Sequence, residues 1–167
     1  MDYVEIIRNI EYRRNESVFN WRIIKLMEEL GEVSEAILNV TSPNNMKNKS
    51  WDDVREELVD AFIVAIDIHL LKSKVLSIDD NIDIRKQVLL YNEKQFTSSF
   101  VMTNTWITRI TTNTYSKKNM VSFIKLILKL ALLRFPDIMH ETDDQIKQRF
   151  DDMFIAKINK WKSYVNK

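Results

Sequence analysis

Lys25-Leu26-Met27-Glu28-Glu29-Leu30-Gly31-Glu32-Val33-Ser34-Glu35-Ala36 reads as an α-helix with an apolar core face and a ladder of acids beside it. Glu29, Glu32 and Glu35 recur every third residue, and Glu28 and Glu32 stand four apart, so their side chains crowd one side of the helix. Like charges at that spacing repel, which implies a neutralising partner such as lysines or a cation. A second stretch, Asp53-Val54-Arg55-Glu56-Glu57-Leu58-Val59-Asp60-Ala61-Phe62-Ile63-Val64-Ala65-Ile66-Asp67, repeats the device, with Glu57 and Asp60 one turn apart. Helices joined by a short loop pack antiparallel, so Glu29 and Glu32 can face Glu57 and Asp60 across a groove. Four convergent oxygens, with no Cys and only two His in the chain, suit a hard cation, Mg²⁺ or Mn²⁺, better than zinc.

Outward from these two helices the rest reads helical as well. One Gly, two Pro and little strand-type alternation favour long helices. The expectation is a single all-α domain over residues 1–167, a bundle of about five to six helices. Residues 2–15 read as a short helix, and Asn15 or Ser17 can cap the next, which runs to Val40. There Phe19, Ile23, Met27, Leu30 and Ile37 form a core stripe. Thr41-Ser42-Pro43-Asn44-Asn45 stops that helix. Ser50 caps a third helix to Lys72, with Asp52 and Asp53 in its first turn and Val54, Leu58, Ala61, Phe62, Ala65 and Ile66 inward. Ile78-Asp79-Asp80-Asn81 suggests a turn, and 84–91 a helix. Over 97–114 helix competes with strand; Phe100, Ile107 and Ile110 fit a helical stripe, and no second strand offers a partner. Ser116 caps a helix from Lys117 to Phe135, stopped by Pro136, and Thr142 opens a last helix to Tyr164.

The motif Glu28-Glu29-x-x-Glu32, a spacer, then Glu57-x-x-Asp60 resembles the signature of the all-α nucleoside triphosphate pyrophosphatases, the superfamily of MazG and the dimeric dUTPases. The similarity is best between Asn20 and His69, with a weaker echo at Ile158-Asn159-Lys160-Trp161-Lys162. It implies a MazG-like four-helix core with an inserted or extended helical segment, and residues 75–140 have no counterpart in it. It implies Mg²⁺-dependent hydrolysis of a dNTP to dNMP and pyrophosphate, in control of nucleotide pools, by a homodimer or homotetramer. Glu29, Glu32, Glu57 and Asp60 would hold the metal, and Glu28 or Glu32 would take the proton of the attacking water. Trp21 and Lys25, Asn45 and Lys47 of the spacer, and Asn159 with Lys162 would contact substrate. Here the chain departs from the pattern: lysines stand where the superfamily often has arginine, and the position one turn before Asn159 is Ile155, with Lys157 displaced.

Each of these residues has a plainer reading. Acids at helical spacing are usually a solvated face, and Glu56 suits a surface lysine. Trp21 suits a half-buried core position, His69 a core histidine and the spacer an exposed connector. Asp67, two turns past Asp60, reaches the far end of the groove or simply lies in the structure. A carboxylate-bridged di-iron bundle needs a Glu-x-x-His pair on each of two helices; this chain has none, and only Asp137-Ile138-Met139-His140 approximates one. A non-catalytic helical binding or regulatory protein on the same scaffold is the alternative to an enzyme.

A net charge of +1 gives no argument for nucleic-acid binding. The absence of cysteine removes disulfide and thiolate chemistry and fits a cytoplasmic setting. No signal peptide is read at Met1-Asp2-Tyr3-Val4-Glu5, and the apolar run 120–135, broken by Lys125 and Lys129, is too short to span a membrane. The wealth of Asn, Lys and Ile hints at a phage or a low-GC host.

Overall fold

The computed structural model describes residues 1–10, 19–44, 46–72, 93–111, 117–133 and 138–165. Among them are six helices and no strand: α1 (Tyr3–Arg8), α2 (Phe19–Thr41), α3 (Trp51–Lys72), α4 (Glu93–Thr111), α5 (Lys117–Ala131) and α6 (Asp143–Val165). The expected all-α bundle is therefore what forms. The caps suggested at Asn15, Ser17 and Ser116, the segments 78–81 and 84–91, the stop at Pro136 and the spacer residue Asn45 lie outside the described residues.

Two helix starts are closed by reciprocal hydrogen bonds. The Ser50 amide donates to the Asp53 carboxylate at 2.7 Å while the Asp53 amide donates to the Ser50 hydroxyl at 3.3 Å. The Thr142 amide donates to Gln145 Oε1 at 2.7 Å and the Gln145 amide returns to Thr142 Oγ1 at 3.2 Å. Each arrangement satisfies amides that a helix N-terminus otherwise leaves without partners.

Helix α3 is the axle. It packs on α1, α2, α5 and α6, while α4 lies against α5 and meets α3 where the Phe96 and Trp51 rings stand edge to face at 6.0 Å. The start of α2 meets the end of α3 at Arg22 and Asp67, so these two run antiparallel. Arg149 reaches Asp52 and Lys157 reaches Asp60, two contacts at one constant residue offset, so α6 runs parallel to α3. Tyr3 fastens α1 over this pair, edge-on to Phe62, Phe150 and Phe154, with its hydroxyl donating to Asp151 at 2.7 Å.

On α2 the buried stripe is Ile23, Leu26, Leu30, Val33 and Ile37. Met27, expected in that stripe, is 54% exposed. It stands one residue, about 100° of helical rotation, from Leu26, and the stripe turns away from it. What the rotation brings in instead is Glu29, only 5% exposed.

Candidate metal centre

Glu29 is buried because it sits beside Leu30 and Leu26 on the edge of the α2 core stripe that faces α3. Glu57 and Asp60 hold the matching edge of α3, flanking the fully buried Leu58 and Ala61. One carboxylate oxygen from each of Glu29, Glu57 and Asp60 lies within 4.8 Å of the other two. Oxygens on opposite sides of an octahedral Mg²⁺ stand about 4.2 Å apart, so a small contraction seats such an ion. The donor set, all carboxylate oxygen, fits a hard cation.

Glu32, the fourth expected ligand, stands apart from this trio. It is solvent-exposed and lines the same cavity, and its charge is felt by all three acids. Burial pushes the Glu29 and Asp60 carboxyls above their ordinary range, with Glu32 adding to the effect. Burial likewise raises Glu57 to about 7, Lys157 and Lys49 pulling the other way and Glu32 and Asp60 reinforcing it. Burial disfavours the charged form of all three carboxyls, and a positive charge beside them offsets that cost.

Lysines fill that role among the protein's own groups. Lys25 Nζ lies 2.8 Å from Glu29 and 3.0 Å from Glu28, Lys157 Nζ lies 2.5 Å from Asp60 and 3.6 Å from Glu56, and Lys49 Nζ lies 4.0 Å from Glu57. Burial works against the charge of Lys25 and Lys157, yet their carboxylate partners hold both more basic than an ordinary lysine.

The acids open onto a cavity of about 430 Å³. Glu29, Glu32 and Asp60 occupy one part of its wall with Lys25, Lys157 and Lys160, and Ile63 and Val64 supply an apolar strip. The remainder is Arg22, Asp67 and Trp161. Asp67 is 1% exposed, its Oδ2 2.9 Å from Arg22 Nε, and the Arg22 guanidinium lies over the Trp161 ring at 5.6 Å. Burial pushes the Asp67 carboxyl upward, and the adjacent guanidinium favours its ionised form. The α-helical rise separates Asp67 from Asp60 by about 10 Å along α3.

The other residues singled out in the sequence fall around this site unevenly. Lys25 is in the cavity wall, paired with Glu29. Glu28 is exposed and engaged with Lys25 on the outer side of α2, and Trp21, 71% exposed, is outside the cavity wall. Lys47 pairs with Glu35 on the surface, while Lys49 turns to Asp53 at 3.2 Å. The left-handed backbone of Asn48 between them, φ 54°, sends the two side chains apart. Asn159 and Lys162 are exposed and off the cavity wall, which takes Lys157, Lys160 and Trp161 from the same helix. His69 is fully buried. Lys157 and Lys160, noted in the sequence but not expected to contact substrate, and Arg22, not singled out there, line the cavity. The signal for Lys157 was its place beside the stripe Phe150, Phe154 and Ile158, the same relation that Glu29 has to its own stripe.

No protein-family model matches the chain, and neither a curated protein nor a solved structure does. No helix among the described residues is long and apolar enough to cross a membrane.

Proposed function

We propose that this protein is a Mg²⁺-dependent nucleoside triphosphate pyrophosphohydrolase, converting a dNTP and water to dNMP and pyrophosphate. The observation that carries the reading is the convergence of Glu29, Glu57 and Asp60 within 4.8 Å, two of them, Glu29 and Asp60, walling a cavity together with Lys25, Lys157 and Lys160. Acids in that number repel a polyphosphate; with a divalent cation among them and lysines around them the sign inverts. The nucleotide part rests on the likeness of Glu28-Glu29-x-x-Glu32 and Glu57-x-x-Asp60 to the pyrophosphatase signature.

Glu29, Glu57 and Asp60 would hold the cation, which supplies charge neutralisation and Lewis acidity when bound. Glu32, on the cavity wall but outside the trio, is placed to accept a proton from water. Water adds to phosphorus, the bridging P–O bond breaks, and the electron pair leaves with the departing phosphate oxygen. Lys157 and Lys160 are the groups available to hold phosphate oxygens. The reading extends to a cytoplasmic homo-oligomer, in line with Ile24, Met27 and Leu38, which lie exposed on one flank of α2.

A second reading, a non-catalytic helical binding protein, draws on the lysine partners of the triad, which already offset its charge. Magnesium-dependent pyrophosphate release from a panel of dNTPs separates the two. The enzyme reading expects release from at least one of them, lost in Glu29→Gln and Asp60→Asn proteins of unchanged helicity. A folded wild type inactive on every nucleotide selects the second.

A further inference from the structure

The cavity changes character along its length. At Asp60 it is lined by acids and lysines; one turn further along α3 come Ile63 and Val64, and a further turn brings Asp67. Because α6 runs parallel and α2 antiparallel to α3, Lys157 is followed by Trp161, and Glu29 by Lys25 and then Arg22, in the same direction. The far end is thus built from Arg22, Asp67 and Trp161, about 10 Å from Asp60 along α3. None of these three belongs to the metal triad. Asp67, its side chain 1% exposed, fixes Nε of Arg22 at 2.9 Å, and the guanidinium lies over the Trp161 ring at 5.6 Å. A guanidinium held along one edge and one face is a planar fork of fixed direction, and 25% of the Arg22 side chain stays open to solvent.

We propose that Arg22 selects the base of the nucleotide, admitting guanine and cytosine and discriminating against adenine, thymine and uracil. The inference rests on the nucleotide reading above and names the bases that site takes. With the phosphates at the acids and lysines, the sugar falls against Ile63 and Val64 and the base reaches the far end. An arginine fork donates two parallel N–H groups, so it is satisfied by two neighbouring acceptors. Guanine offers O6 with N7, and cytosine offers O2 with N3. In adenine the amino group stands beside N7 and N1, and in thymine and uracil N3–H stands between the two carbonyls. There one arm of the fork meets a donor, a mismatch that is expensive away from bulk water. Asp67 and Trp161 are positioning residues, which set the direction of the fork.

Neutral deoxynucleosides test this subsite without metal or phosphate. The full chain, ¹⁵N-labelled and with a chelator present, is titrated with deoxyguanosine, deoxycytidine, deoxyadenosine and thymidine. The probe is the indole N–H resonance that disappears in Trp161→Phe. Deoxyguanosine and deoxycytidine are expected to move that resonance with affinities about tenfold or more above those of the other two. Arg22→Lys, checked for helicity, keeps a cation beside Asp67 but loses the fork, and should erase the ratio. Asp67→Asn should shrink it, because the fork is then directed less firmly. A merely structural role for Arg22 weakens all four nucleosides alike and leaves the ratio intact, which overturns the inference. So does a wild type that prefers deoxyadenosine or thymidine, or that gives no response at Trp161. Pyrophosphate release from the corresponding dNTPs is read separately. Release with no preference for dGTP and dCTP overturns the base selection and leaves the hydrolase standing. The nucleoside preference without release from any dNTP keeps the subsite and removes the hydrolase.

Discussion

The two sides of α3 bury different things. Towards α2 and α6 the interior takes in Glu29 and Asp67 along with its aliphatic residues and the rings of Phe62, Phe150 and Phe154. Towards α4 and α5 it takes in Phe96, Phe100, Met120, Phe123, Ile124 and Ile127, with Thr103 the polar residue buried among the described ones, its hydroxyl donating to the Phe100 carbonyl at 2.6 Å. Both sides supply apolar area, and that area is the dominant favourable term in folding. Burying a carboxylate opposes folding unless something compensates for it. One side of the axle is apolar support, and the other buries charge that its own lysines and arginine offset.

The largest effect should come from the supporting side. Phe123 is fully buried between α5 and its neighbours. Phe123→Ala is expected to cost about 3–5 kcal/mol of stability, read as a drop in the urea midpoint. Protein that remains folded should bind Mn²⁺ and any nucleotide as wild type does. A loss of metal affinity with little loss of stability would dissolve the division drawn above.

On the charged side the balance reverses. Asp60→Asn removes one member of the trio and the partner of Lys157. Turnover should fall about 100- to 1000-fold, roughly 3–4 kcal/mol in the barrier, while the unfolding midpoint moves by about 1 kcal/mol or less. A matching collapse of stability would make Asp60 a structural residue.

Glu57 gives a pH signature. Burial holds its carboxyl up to about 7, against an ordinary 4.5, so the fold favours the neutral form. The stability this group lends is full below the ordinary glutamate range and is lost as pH rises through about 7. With a chelator present, wild type should therefore lose about 1–3 kcal/mol from this group between acid and alkaline sides of that window. Glu57→Gln should flatten the loss and melt higher than wild type on the alkaline side. Saturating Mg²⁺ should rescue wild type there and leave the variant behind, since a ligand of the native state stabilises it by mass action. Identical pH–stability curves for the two proteins would show that burial does not oppose the charge of Glu57.

The acids of α2 and α3 were legible because spacing alone puts them on one helical edge, and because two helices joined by a short loop have only one way to pack. Their burial was less so: Glu29 enters the interior and Met27 leaves it through a rotation of one residue, which periodicity resolves poorly when apolar residues flank both edges of the stripe. Asn159 and Lys162 were expected from the resemblance alone, whereas the cavity wall takes Lys157 and Lys160. A core stripe has two edges, and which edge faces the acids depends on whether α6 runs parallel or antiparallel to α3. The long connection before α6 leaves that direction open, and the structure settles it through Arg149 on Asp52 and Lys157 on Asp60.

The smallest effect compares two helix caps. Ser50 and Thr142 make the same reciprocal arrangement, so Ser50→Ala and Thr142→Ala should each cost about 1 kcal/mol in denaturant unfolding. Their surroundings differ. The Ser50 hydroxyl also donates to Asp53 at 2.7 Å, and Asp53 in turn holds Lys49, which stands beside Glu57. That bonding pulls the Asp53 carboxyl below its usual range, with Lys49 contributing. Loss of the Ser50 hydroxyl frees Asp53 to draw Lys49 closer, away from Glu57, and so should change Mn²⁺ affinity measurably while Thr142→Ala leaves it alone. Equal and null effects of the two substitutions on Mn²⁺ binding would detach the α2–α3 connection from the site, leaving Lys25 and Lys157 as the lysines that matter.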